Sequence, residues 1–138
     1  MYNGYETVHT LGHIHKIPNS INAPLVKNFY EYLKEIGTSE NYQNQNLKQL
    51  IGFAKSLGTE KTFYDIKNKD EIVLFLNTKI KDNDVDPDKK WITTWNDYLW
   101  RIKYFFRWLQ TEPEYMCCPN PTQPDLNFTI ISNILIYY

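Results

Sequence analysis

WITTWNDYLWRIKYFFRWL, residues 91–109, sets Trp95, Tyr98, Leu99, Ile102, Phe105, Phe106 and Leu109 three or four positions apart. That interval places all seven on one side of an α-helix, because a helix turns once every 3.6 residues. Thr93 or Thr94 is the expected opening of this helix. Working back from it, residues 82–90 are polar and contain Pro87, so they read as a loop. Before the loop, Asn68 is a candidate cap for a third helix with Asp70 and Glu71 in its first turn, where carboxylates suit the helix dipole. Ile72, Phe75, Leu76 and Ile80 would be its buried face.

Residues 39–58 form the second predicted helix. Ser39 is its N-cap candidate, Tyr42, Leu47, Leu50, Ala54 and Leu57 its apolar stripe with Phe53 alongside, and Gly58 its stop. The first predicted helix runs from Asn22 to Ile36. Asn22 would cap it, Pro24 fits its first turn, Leu25, Phe29, Tyr32, Leu33 and Ile36 would be buried, and Gly37 would end it. After Leu109, Pro113, Pro119, Pro121 and Pro124 oppose further helix. The expected organisation is an irregular N-terminal extension (1–21), an all-α domain of four helices (22–110) and a Pro-rich, apolar C-terminal tail (111–138).

Composition narrows the function classes. The chain has 138 residues, 42% of them hydrophobic and 16% aromatic, enough to form the core of one domain. Lys and Arg number 15 against 16 Asp and Glu, so no overall basic field marks a nucleic-acid binder and any such case must rest on local placement. Cys117 and Cys118 are neighbours, a spacing that rarely closes a disulfide, which fits a reducing, cytoplasmic setting. The N-terminus lacks the apolar run of a secretory signal, and residues 130–138 are too short to span a bilayer, so a soluble protein without a membrane partner is expected. No phosphate-binding glycine loop, hydrolase elbow or zinc-protease helix occurs. His9, His13 and His15 could converge on a metal, but histidines without supporting hydrogen bonds bind weakly, and the cluster reads as incidental. No cofactor and no metal are expected.

The second and fourth predicted helices resemble the core-binding domain of tyrosine recombinases, the phage-integrase family. The residues that carry the likeness are Ser39, Leu50 and Phe53, then Thr94, Tyr98, Leu99, Ile102, Phe105, Phe106, Trp108 and Leu109. The match covers roughly residues 22–109. It implies a compact, SAM-like orthogonal bundle that closes over one side of duplex DNA with its second and fourth helices, while a separate domain performs strand transfer. The residues after Leu109 include no Arg, Lys or His, so the arginines, lysine and histidine such chemistry requires have no counterpart there, and Tyr137 and Tyr138 are not credible nucleophiles. The expectation is a non-enzymatic half of a DNA clamp.

On the second helix, the side opposite the apolar stripe holds Asn41, Asn44, Gln45, Lys48, Gly52 and Lys55, with no carboxylate after Glu40. Lysines would neutralise phosphates, amides would bond phosphates or adenine edges, and Gly52 would admit a close backbone approach. On the fourth helix the outward positions are Asn96, Trp100, Arg101, Lys103, Tyr104, Arg107 and Trp108, with Thr93 and Thr94 near the positive helix start. Trp100 and Trp108 read as packing residues. The competing function is a protein-interaction module that docks a full-length recombinase through the apolar segment Phe128 to Tyr138, and a decayed fragment of such an enzyme is a third reading.

Overall fold

The structure is a computed structural model that describes residues 4–111. Every regular element among them is helical: α1 (Gly4–Leu11), α2 (Asn22–Glu35), α3 (Glu40–Leu57), α4 (Asp70–Asn77) and α5 (Trp91–Leu109), with short 3-10 turns at Ile14–Lys16 and Phe63–Asp65. The all-α expectation holds. No helix among the described residues is long and apolar enough to cross a membrane. Cys117, Cys118 and the segment Phe128 to Tyr138 lie outside the described residues. The chain divides into two compact units, one ending at Asp65 and the other starting at Ile66.

In the first unit, both α1 and α2 pack on α3. An N-terminal extension without regular structure was expected, and the extension instead contributes a helix to this packing. Among its described side chains, Val8 and His9 are exposed and only Thr10 is buried, a polar residue that signals no apolar period in the sequence. The start of α2 also differs from expectation. Asn19, not Asn22, accepts the free N–H groups there, its Oδ1 taking those of Ile21 and Asn22 at 2.8 and 3.1 Å. Asn22 lies inside the helix, fully buried. Its Nδ2 donates to the Lys61 carbonyl at 3.0 Å and its Oδ1 accepts the Phe63 N–H at 2.9 Å, so one amide fastens a distant loop to α2. Asn19 Nδ2 adds a bond to the Thr59 carbonyl at 2.8 Å.

Three expected signals act as read. Gly37 and Gly58 take positive φ of 78° and 75°, a backbone that a side chain resists. Ser39 Oγ accepts the Tyr42 N–H at 3.1 Å, pinning the first turn of α3. Leu25, Phe29, Leu33, Leu47, Leu50, Phe53, Ala54 and Phe63 are buried. Phe53 and Phe63 stack with centroids 6.0 Å apart, joining α3 to the loop that Asn22 holds. Each such ring or leucine removed from water is worth about 1.5–3 kcal/mol. Ile36 is half exposed, because α2 stops one residue before it.

The second unit packs α4 on α5. Asn68 Oδ1 accepts the Asp70 N–H at 2.8 Å, and Ile72, Phe75 and Leu76 are buried as expected. Ile80 is exposed instead, since α4 ends at Asn77 and the helical period no longer aims that side chain inward. The long helix opens at Trp91, ahead of Thr93 and Thr94, because Asp86 Oδ2 accepts the Trp91 N–H at 2.9 Å from across the loop. Trp95, Leu99, Ile102, Phe105, Phe106 and Leu109 are buried. Trp95 Nε1 donates to Asn77 Oδ1 at 3.3 Å, and Tyr98 meets Phe75 edge-on at 5.7 Å, so the aromatic face of α5 locks to α4.

Candidate nucleic-acid interface

Because α1 and α2 both cover α3, only a narrow strip of it faces solvent. Asn41, Lys48 and Lys55 are exposed, with Gln45 and Gly52 half exposed between them. These five positions follow one another at intervals of four, three, four and three, so they trace a nearly straight line down the helix. Lys48 and Lys55 stand about 10 Å apart along the axis, two turns of helix. Glu40 is the one acidic residue of α3, at its first turn.

Asn44 does not belong to this strip. It was expected among the DNA-contacting amides, but it is fully buried, and neither its Nδ2 nor its Oδ1 has a hydrogen-bond partner among the described residues. On a helical wheel Asn44 sits at the margin of the strip, and the neighbouring helices settle which side of the margin is wet. Gln43, Asn46 and Gln49 are buried as well. Gln43 Nε2 bonds the Thr38 carbonyl and Asn46 Nδ2 the Tyr42 carbonyl, so α3 carries amides on its packed sides that hold its own start in place.

Positive groups gather around His13. His9 and His13 meet edge-on with ring centroids 4.7 Å apart, and His15 Nδ1 bonds the Gly12 carbonyl. Lys16 first, then desolvation, then His9, Lys55 and His15 pull the His13 imidazole below the usual histidine range. A group that resists protonation because cations surround it marks a locally positive surface. Lys55 ties that surface to α3. No group of three His, Cys, Asp or Glu side chains among the described residues is placed to hold a metal ion.

The outward side of α5 is less available than its sequence suggests. Thr93, Thr94 and Arg107 are exposed, and Asn96 and Tyr104 are half-buried. Arg101 is largely covered and pairs with Asp97 at 3.2 Å, one turn earlier. Lys103 is only 2% exposed, against the expectation of an outward cation. Its Nζ lies 3.9 Å from the centroid of the Trp100 ring, a cation–π contact that accounts for a charged group in so covered a place. Desolvation, with Arg107 adding to it, lowers the Lys103 pKa. Trp108 is buried as a packing residue, whereas Trp100 is 59% exposed and shields Lys103 with one face.

Sequence reasoning passed over Lys79, Lys81 and Lys90. These three line a cleft with Trp91, Thr94 and Tyr98. Their signal was present: lysines bracket the acidic loop on both sides, directly beside the aromatic start of α5. Counting the loop as polar solvent-facing chain hid it. Comparison with protein-family models, curated proteins and solved structures returns no match for this chain.

Proposed function

We propose that the protein binds duplex DNA without chemistry of its own, through the exposed strip of α3, as the core-binding half of a tyrosine recombinase does. The observation that carries this reading is the line Asn41, Gln45, Lys48, Gly52 and Lys55, bare between packed helices and free of carboxylates beyond the first turn. Two lysines at its middle and end would each neutralise a phosphate, the two amides would supply adjustable donors and acceptors, and the glycine between them leaves room for a sugar-phosphate backbone. Arg107, Thr93 and Thr94 are exposed on α5, which belongs to the second unit and not to this strip. Arg101 and Lys103 are assigned to the fold and not to DNA. With so few cations, affinity is expected in the non-specific range, about 10⁻⁴–10⁻⁶ M at physiological salt. A cytoplasmic setting, where DNA is accessible, accords with this role.

The test is an NMR titration of the full chain with a short duplex. The amides and side chains of Asn41, Gln45, Lys48 and Lys55 should shift together and saturate along one isotherm. Shifts confined to residues outside α3, or none at millimolar duplex, overturn the reading.

A further inference from the structure

The second unit contains a cleft of about 480 Å³ where the chain leaves α4, crosses the acidic loop and enters α5. That volume falls in the range of pockets that hold small ligands, roughly 300–1,000 Å³. Three lysines approach it from separate places: Lys79 just past α4, Lys81 in the loop and Lys90 at the threshold of α5. Among the described residues, none of the three makes an ion pair with a carboxylate. Asp86 is the one acid in the lining, and its carboxylate is engaged with the Trp91 N–H. Three lysines against one carboxylate leave the lining with a formal excess of positive charge.

Its other walls are aromatic. Trp91 and Tyr98 both line it, and Lys79 Nζ lies 4.4 Å from the Tyr98 centroid and 5.0 Å from that of Phe75. Two ring faces hold this ammonium, so it is placed before any ligand arrives. Thr94, exposed in the first turns of α5, adds a hydroxyl to the same rim. Ammonium groups beside flat rings suit a ligand with an anion at one end and a planar ring at the other, since phosphate seeks the first and a base stacks on the second.

We infer that this cleft binds a nucleotide unit, its phosphate received by Lys79, Lys81 and Lys90 and its base set against Trp91 or Tyr98. The unit comes either as a free mononucleotide or as one residue of a single-stranded nucleic acid. The cleft belongs to the second unit and the α3 strip to the first.

The test uses the full chain and four probes: adenosine 5′-monophosphate, adenosine, inorganic phosphate and a short oligodeoxythymidine. Tryptophan fluorescence and the NMR signals of Trp91 and Tyr98 report occupancy. Adenosine monophosphate should perturb both residues at millimolar concentration, adenosine should bind about tenfold more weakly or worse for want of its charged contacts, and phosphate should shift the lysines alone. Lys81→Ala with Lys90→Ala, both exposed and therefore compatible with folding, should cost about tenfold in nucleotide affinity, while Lys48→Glu with Lys55→Glu should leave it unchanged. Tighter binding of the oligonucleotide supports the site with a nucleic-acid source, and tighter binding of the mononucleotide supports it with a free one. Equal affinity for adenosine and its monophosphate overturns the inference, as does undiminished affinity in the Lys81→Ala, Lys90→Ala protein with helix content intact by circular dichroism.

Discussion

The outer edges of α3 and α5 share one spacing and have opposite fates. On α3, Asn41, Gln45, Lys48, Gly52 and Lys55 repeat at heptad intervals and face water. On α5, Thr93, Asp97, Trp100, Tyr104 and Arg107 repeat at the same intervals, yet the cations beside them are taken up: Arg101 by Asp97, Lys103 by Trp100. The difference lies in the neighbours each lysine or arginine has on its own helix. Lys48 and Lys55 have neither a ring nor a carboxylate one turn away on α3, only Asn44, Gln45, Ile51 and Gly52 among their neighbours there, and nothing of that kind holds an ammonium. Lys103 has an indole three positions back and a second cation four positions on, so the ring captures it. Cations counted on a helical wheel are not yet a cationic surface.

This contrast can be broken most sharply by charge reversal. Lys48→Glu with Lys55→Glu should reduce duplex affinity by two orders of magnitude or more, about one for each phosphate contact turned repulsive, whereas Arg101→Glu should change it less than about threefold, the share of a contact that is not made. Fluorescence anisotropy with a labelled duplex separates the two, and a larger loss for Arg101→Glu would reverse the comparison. Next in size is a stability effect. Asn44→Leu replaces a buried amide without partners by an apolar side chain of similar volume and should stabilise the protein by about 1–2 kcal/mol in urea unfolding, with DNA affinity unchanged. Loss of DNA binding in that protein would return Asn44 to the interface. Ser39→Ala removes the cap of α3 and should destabilise by about 1 kcal/mol, while Ser39→Asp should restore most of it.

The smallest expected effect concerns Lys103. Burial lowers its pKa in the folded chain below the ordinary 10.5, so the unfolded chain holds this proton more tightly. Stability therefore increases as pH rises from the lowered folded value toward 10.5, and the penalty for burying the charge is present in full below that window. Lys103→Met should raise the melting temperature at neutral pH and lose that advantage at alkaline pH. An advantage that is constant with pH would mean that the Trp100 ring compensates the buried charge completely.

The sequence made the helices legible where caps and period agreed. Ser39, Gly37 and Gly58 mark the limits of α2 and α3 by local chemistry alone, and the seven-residue face of α5 is buried or half-buried as its period demands. Where the reading missed, the cause was tertiary. Asn22 looks like a cap and is a clip, because only the folded chain brings the Lys61 carbonyl and the Phe63 N–H to it. Thr93 and Thr94 look like the start of α5, but a carboxylate five residues before Trp91 reaches across and starts it earlier. Ile36 and Ile80 continue an apolar period past the point where the helix has stopped. The exposed or half-exposed position of Asn41, Gln45, Lys48, Gly52 and Lys55 was legible from the wheel. Asn44 was not, since the wheel cannot say that a helix from residues 4–11 packs on α3. The cleft lysines were missed for a related reason: they are distant from one another in period, and only the turn between α4 and α5 assembles them.

The central claim is that two lysines of α3 supply the phosphate contacts. It is tested most directly by the salt dependence of duplex affinity for the native chain and for Lys48→Ala with Lys55→Ala. Each phosphate contact contributes about 0.9 to the slope of log affinity against log salt, so the slope should become shallower by about 1.8 in the double variant. Equal slopes for the two proteins would contradict the account.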